Sequence, residues 1–406
     1  MGSQRQRGRI ELISQVASIV SMSMLPTSFL PSSLLPVSVI PGFVLPIPGV
    51  ILVGAALLLL TTWQLPQDVA AQSWDRMASI IPKGYVSYFT PDPPRIDGKL
   101  DDPAWLDAAW TDPFVDIEGE ARAKPPYETR AAIRWDDSHL YIAAKMVEPH
   151  VWGTLTEKNS VIFQDNDFEV FIDPDGDHHN YYEFEVNPLN TIWELTMEKP
   201  YRDGGPAISP TNIEGLRSAV HVDGTLNAPH DTDNFWSVEI AIPWVGLARY
   251  SRLPVPPRDG EQWRMNFSRV AWQHVVDGNS YAKLPDTPES NWVWSPQGVV
   301  DMHRPERWGY VQFSRAKPGE APFVADPTLP ARDSLMAVYY AQKAFFQEHE
   351  QWAADPSAFE RPLPDNVELL TDSNGWKART TVGAGDAKLT LEVDHESRMT
   401  TIEDTR

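Results

Sequence analysis

The sequence predicts an all-β fold: an antiparallel β-sandwich of jelly-roll or immunoglobulin-like architecture, with a short C-terminal helix-plus-strands appendage. Three observations carry this. Short segments alternate apolar and polar residues with a period of two, and Pro, Gly and Asp turns punctuate them at regular intervals. Helical periodicity is scarce before residue 315. Of 16 tryptophans, 12 lie between Trp105 and Trp308, and rings of that size suit the space between packed sheets. With 406 residues the chain can form one large or two modest domains.

The elements follow in order. Arg5, Arg7 and Arg9 precede a Pro- and Ser-rich apolar run and an unbroken stretch from Gly49 to Trp63. That stretch suits a signal-peptide hydrophobic region of about 7–15 residues better than a span of about 20. Val69-Ala70-Ala71 offers a small-residue cleavage site. Residues 1–71 are therefore expected to be a signal peptide or an N-terminal membrane anchor. Either way the remainder is exported, and membrane contact is confined to this segment if it stays uncleaved. Residues 72–90 read as an exposed lead-in.

The sandwich is expected over 91–314. Asp101 or Asp102 can cap a short helix with Pro103 in its first turn. Thr129–Trp135 and Leu140–Val147 form a hairpin around Asp136-Asp137-Ser138. Strands are expected also at Thr191–Met197, Glu214–Val222, Asn234–Ile242, Gln262–Trp272 and Trp308–Phe313. Residues 315–330 read as a linker, opening with Lys317-Pro-Gly-Glu-Ala-Pro322. In the appendage, 331–406, a helix from Asp333 or Ser334 to about Ala353 carries Leu335, Val338, Phe345, Phe346 and Trp352 as its apolar stripe. Strand signals follow at Val367–Leu370, Lys377–Val382 and Lys388–Val393.

The stretch from Phe163 to Asn187 is the richest in chemistry. Phe168, Val170 and Ile172 point one way, and Asp167, Glu169 and Asp173 the other. On the next segment Tyr182, Phe184 and Val186 oppose Glu183, Glu185 and Asn187. Paired, the two strands make one greasy face and one row of carboxylates. Carboxylates beside rings suit a ligand with many hydroxyls and apolar C–H faces, such as a sugar. The net charge of −22 argues against nucleic acid and anionic membrane surfaces as partners. The absence of Cys excludes disulfides, cysteine nucleophiles and Cys-based zinc sites.

Six segments resemble the family 9 carbohydrate-binding modules: Ile96-Asp-Gly-Lys-Leu-Asp-Asp-Pro-Ala-Trp105, Arg134-Trp-Asp-Asp-Ser-His-Leu-Tyr-Ile142, Asp167-Phe-Glu-Val-Phe-Ile-Asp173, Tyr182-Glu-Phe-Glu-Val-Asn-Pro188, Trp236-Ser-Val-Glu-Ile-Ala-Ile-Pro-Trp244 and Pro305-Glu-Arg-Trp-Gly309. Together they span Arg95 to Ser314. The resemblance implies a β-sandwich that binds plant polysaccharides or their ends, structural calcium, and frequent association with glycoside hydrolases. It places Phe163 as one aromatic plate and Glu169 as a hydroxyl acceptor. Met302 or His303 falls at the second plate, with Trp292 and Trp294 nearby. Glu185 stands where the family's pattern has an Arg, which puts reducing-end recognition in doubt.

The expected ligand site is thus Phe163, Asp167, Glu169, Glu185, Trp292, Trp294 and Met302. Asp173, Asp175 and Asp177, in a Gly-containing turn, are the candidate calcium ligands, against a plain solvated turn. The adjacent His178 and His179 would diverge in a strand and make a poor metal pair. The reading is an exported, non-catalytic binder of a polysaccharide or oligosaccharide, serving carbohydrate catabolism, with any glycoside hydrolase on a separate chain. Two alternatives stay open. Asp167 and Glu169, ~7 Å apart on one strand face, could serve glycoside hydrolysis, although they approach from one side only. Met302, His303 or Met197 could ligate haem b in an electron-transfer sandwich.

Overall fold

The period-two alternation builds one long sheet that folds over on itself. The computed structural model describes residues 69–364, 366–373, 375–383 and 388–402, so the expected export segment lies outside them up to residue 68. The strands are β1 (Gly84–Phe89), β2 (Val115–Asp116), β3 (Thr129–Trp135), β4 (His139–Val147), β5 (Asp167–Asp173), β6 (Tyr181–Val186), β7 (Ile192–Met197), β8 (Ala207–Ile208), β9 (Arg217–Asp223), β10 (Phe235–Pro243), β11 (Gln262–Ala271), β12 (His274–Asp277), β13 (Ser280–Lys283), β14 (Ser290–Val293) and β15 (Gly309–Ser314). Their order in the sheet is β8-β7-β6-β5-β11-β15-β1-β3-β4-β10-β9, with β14 on β11 and β2 on β14, while β12 and β13 form a separate hairpin. Inward side chains from the β5–β6–β11–β15 half and the β3–β4–β10 half share one buried cluster, which makes the sandwich.

Residues 72–90 are not the exposed lead-in that their sequence suggests. They hold helix α1 (Val69–Ala78) and β1, which runs parallel to both β15 and β3 and closes the seam between the halves. Tyr85, Ser87 and Tyr88 are buried. The Tyr85 hydroxyl accepts from Ile133 N at 3.0 Å, and Trp135 Nε1 donates to the Ser87 carbonyl at 2.9 Å. Both faces of β1 are covered, so Gly-Tyr-Val-Ser-Tyr-Phe shows no clean polar alternation.

Two of the sequence motifs are tied to each other. Glu239, on β10, accepts from Asp97 N at 2.9 Å, Gly98 N at 2.6 Å and Trp105 Nε1 at 2.6 Å. Gly98 has φ +83°, and a Cβ there would run into the Val220–His221 backbone, so only glycine fits. The short helix α2 (Pro103–Leu106) follows Asp102, whose carboxylate bonds Arg95 rather than capping the helix. At the other end, the Trp294 ring lies where a side chain on Gly309 would stand.

The appendage is an integral second core. Helix α3 (Leu329–His349) begins four residues ahead of Asp333 because Pro330 fits its first turn. It packs with α1 on a four-stranded sheet, β16 (Val367–Asp372), β17 (Gly375–Val382), β18 (Leu389–Asp394) and β19 (Met399–Ile402). Trp74 stacks on Tyr340 with ring centroids 5.1 Å apart. The 315–330 linker is docked too: Gln262 Nε2 donates to Val324 O at 2.6 Å, and Tyr88 donates to Ala321 O at 2.9 Å. His178 and His179 face the appendage, bonding the Ser397 and Glu396 carbonyls at 3.0 and 2.7 Å.

A buried polar cluster joins the appendage to the sandwich. Arg202 donates to Glu306 at 3.0 Å, to the Tyr339 hydroxyl at 3.2 Å and to the His303 carbonyl at 2.8 Å. The Tyr340 hydroxyl donates to Glu306 at 2.5 Å. Burial alone would raise the Glu306 carboxyl, but Arg202, His178, Arg304 and Tyr340 outweigh it and hold it at about 2.

Two outcomes are expected. Because its folded pKa is depressed, Glu306 contributes stability that is present above about pH 4.5 and lost as pH falls toward about 2. Glu306→Gln should remove that acid-side slope and cost on the order of 3 kcal/mol at neutral pH, read by urea unfolding across a pH series; an unchanged slope contradicts the pairing. Gly309→Ala should lower stability by roughly 1–3 kcal/mol through the clash with Trp294, checked by thermal unfolding, with no loss counting against that packing.

Candidate functional site

The pairing of β5 with β6 creates the expected acidic face. Glu169 stands opposite Glu185, and Phe171 opposite Glu183. Phe168, Val170, Ile172, Tyr182, Phe184 and Val186 turn the other way and are fully buried. Above the acidic face lies a half-open cavity of about 290 Å³. Of the expected site residues, Phe163, Glu169, Glu185 and Met302 line it. Asp167 belongs to the same row, but it is completely buried and does not line the cavity.

Trp292 and Trp294 do not belong to the site. Both sit in the main core, 7% and 3% exposed. Trp294 meets Tyr85 edge-on at 6.2 Å, and Trp292 lies beneath the Arg269 guanidinium at 5.0 Å. Pairing of β14 with β11 carries this segment along the sandwich wall and turns these rings inward.

Sequence reasoning missed Trp193, Tyr201, Glu183 and Glu289 as lining residues. Trp193 lies directly across the strand pair from Glu185. Its strand is inverted relative to its neighbours. Trp193 and Leu195 face the cavity, whereas Glu194 is buried on the other side, accepting from the Tyr182 hydroxyl at 3.0 Å and from Ile213 N at 2.9 Å. The strand expected at Thr191–Met197 is therefore present, with its polar Glu194 on the core side. Tyr201 is half exposed, in the β7–β8 connection, and packs edge-on against His303 at 4.4 Å. No period marks it in the sequence.

The backbone around Phe163 is held from both sides. Phe163 N donates to Glu185 Oε2 at 2.9 Å, and Trp272 Nε1 donates to the Phe163 carbonyl at 2.8 Å. The carboxylates, by contrast, are undersupplied with donors. Glu169 Oε2, Glu183 Oε2 and Asp167 Oδ2 are buried without a hydrogen bond. Burial pushes Glu169 up to about 7, with Ser268 opposing and Glu289 adding to the rise. Burial, and next the Glu169 charge, hold Glu183 and Glu185 well above the usual carboxylate range.

Two acidic groups present oxygens within 4.8 Å of one another: Asp167 with Glu169 and Glu185, and Asp173 with Asp175 and Asp177. The second is the expected calcium loop. Its Asp175 and Asp177 carboxylates already engage guanidiniums, with Arg252 at 3.1 Å from Asp175 and 2.5 Å from Asp177, and Arg398 at 3.1 Å from Asp177. Asp173 accepts from Gly176 N and His178 N at 3.0 and 2.9 Å. A dication would have to compete with two arginines, so this donor set does not fit calcium.

The alternatives fare as follows. Only Glu169 of the Asp167/Glu169 pair reaches the cavity, which leaves no second carboxylate of that pair for hydrolysis. Of the haem candidates, Met197 is fully buried and presents no axial ligand, whereas Met302 and His303 line the cavity, with His303 Nδ1 2.7 Å from the Tyr181 hydroxyl. No described helix is long and apolar enough to cross a membrane.

Residues 96–268 match the family described as carbohydrate family 9 binding domain-like. An exoglucanase XynX from Acetivibrio thermocellus is 28% identical over 157 residues, which cover 38% of this chain and 12% of that protein. An endo-1,4-beta-xylanase A from Thermoanaerobacterium saccharolyticum is 25% identical over 154 residues, covering 38% and 11%. The chain thus spans about a tenth of the length of these curated relatives. A solved family 9 carbohydrate-binding module from Caldicellulosiruptor kristjanssonii in complex with cellotriose superposes with a TM-score of 0.37 at 16% identity, covering 60% of this chain and 100% of that one. Residues 96–268 are thus similar to the carbohydrate family 9 binding domain-like family.

Proposed function

We propose that this protein is an exported, non-catalytic binder of an oligosaccharide or polysaccharide, serving carbohydrate catabolism in association with a glycoside hydrolase. The observation that carries the reading is the convergence of Phe163, Trp193 and Tyr201 with Glu169, Glu183 and Glu185 on one half-open cavity. A sugar ring offers an apolar face to an aromatic side chain and a hydroxyl fringe to acceptors. Phe163 and Trp193 supply the apolar contact. The unpartnered oxygens of Glu169 and Glu183 accept from hydroxyls, and such hydrogen bonds are worth roughly 0.5–1.5 kcal/mol each. Most of the ring's other face stays in water, so affinity for a few sugar units should be weak to moderate.

Export is supported by the Arg-flanked apolar stretch at Gly49–Trp63, and a role beside a hydrolase by the names of the two curated relatives. The calcium implied by the resemblance has no place in this reading.

Calorimetry against a panel of oligosaccharides tests it. Wild type should bind at least one member, and Trp193→Ala or Phe163→Ala should each weaken that binding about tenfold, equal to ~1.4 kcal/mol. Absence of binding across the panel, or variants that bind as wild type does, contradicts the site. A reducing-sugar release assay should show no hydrolysis; release abolished by Glu169→Gln would make the protein an enzyme. Chelator should leave the melting temperature unchanged, and a fall of several degrees would return calcium to the Asp173–Asp177 loop.

A further inference from the structure

The charge balance of the cavity goes further than its shape. Glu169, Glu183, Glu185, Glu289 and Asp301 all line it, of which only Asp301 is paired with an arginine, and Asp167 stands behind them. Among the described residues no Lys or Arg lines it. The nearby cations are committed elsewhere. Lys283 lies over the Trp272 ring at 3.5 Å and donates to Gln164 at 3.2 Å. Arg304 pairs with Asp301 at 2.9 Å, and Arg202 with Glu306 at 3.0 Å. His303 Nε2 is 4.0 Å from Glu183, beyond hydrogen-bond reach, and burial drives its pKa down to about 4, so it supplies no charge at neutral pH.

Four carboxylates in one hollow repel each other, and burial removes the water that would screen them. The hydroxyls of a neutral sugar satisfy acceptors but leave the net charge in place. A protonated amine offers three donors and a compensating charge at one point. The buried oxygens without partners, Glu169 Oε2 and Glu183 Oε2, belong to two of the residues around that point. We infer that this pocket selects a saccharide bearing a free amine, a hexosamine unit, over its neutral and N-acetylated counterparts. This rests on the carbohydrate reading above.

A bare divalent cation answers the charge but not the rest. Its tightest donor set uses Asp167, which lies behind the cavity wall, and it leaves Phe163, Trp193 and Tyr201 without a role. The rings require an apolar face on the ligand, and the acids a positive charge. An amino sugar has both.

The test is calorimetry on the full chain at low salt, with glucosamine, N-acetylglucosamine and glucose oligomers of equal length, in the presence of chelator. The amine-bearing oligomer should bind at least about tenfold more tightly than the other two, and the preference should shrink as salt is raised. Glu185→Gln, which keeps an acceptor for Phe163 N, should erase most of that preference by weakening the amine-bearing oligomer more than the other two. Equal or better binding of the neutral or acetylated oligomer overturns the inference and leaves carbohydrate binding standing. Binding of none of the three overturns both. Saturable calcium or magnesium binding without chelator, lost in Glu169→Gln, would assign the acids to a metal and also overturn it. The wild-type comparison needs no variant, so misfolding of a mutant cannot obscure the result.

Discussion

The antiparallel register that sets Glu169 opposite Glu185 fixes both sides of the sheet at once. A slip of one residue would carry Asp167 and Glu169 into the core and expose Phe168, Val170 and Ile172. Each of those apolar side chains is fully buried, and burying one is worth roughly 1.5–3 kcal/mol, so the core side dictates the register. The acidic row is its consequence. Its burial then follows from what surrounds it: the inverted β7, which sends Trp193 and Leu195 to that side, and the Ile117 and Met302 segments that close over it. The strained electrostatics of the cavity are therefore imposed by hydrophobic packing on the opposite face.

The appendage gains a purpose in this light. The connection bearing Tyr201 has no regular strand to hold it. Its neighbours Arg202 and Asp203 are anchored instead on α3, through the Tyr339 hydroxyl and through Lys343, which is 2.7 Å from Asp203. The opposite wall, around His303 and Glu306, is held by the same cluster, with Arg202 bonding both the His303 carbonyl and the Glu306 carboxylate. Phe163 is fixed by two backbone hydrogen bonds. Walls arranged before a ligand arrives lose little freedom on binding, which offsets the small area an open groove buries.

Much of this was legible in the sequence where one rule governed. Where one strand face carries mainly large apolar side chains and the other mainly polar or small ones, as in β3, β5, β6 and β10, alternation located the strand to within a residue or two. The acidic face, with Glu169 and Glu185, followed from the same period, and the family resemblance supplied Phe163 and Met302. The rule failed where its premise failed. The segment at 84–89 is covered on both faces, so β1 carried no alternation and passed for a lead-in. On β7 a buried Glu194 and exposed-side rings reverse the usual polarity. Trp292 and Trp294 read as platforms because large rings near a site invite that reading, but the pairing of β14 turns them inward. The Asp173–Asp177 loop resembled a calcium turn because its partners, Arg252 and Arg398, are remote in the chain.

The account stands on one claim, that the ligand sits on the carboxylate face of β5 and β6 between rings supplied by neighbouring segments. A crystal structure of the protein with the tightest-binding oligosaccharide would test it most directly. The account predicts a sugar ring against Phe163 or Trp193, with its polar substituents within hydrogen-bond distance of Glu169, Glu183 or Glu185. A sugar bound on another surface, with this cavity holding none, would contradict it.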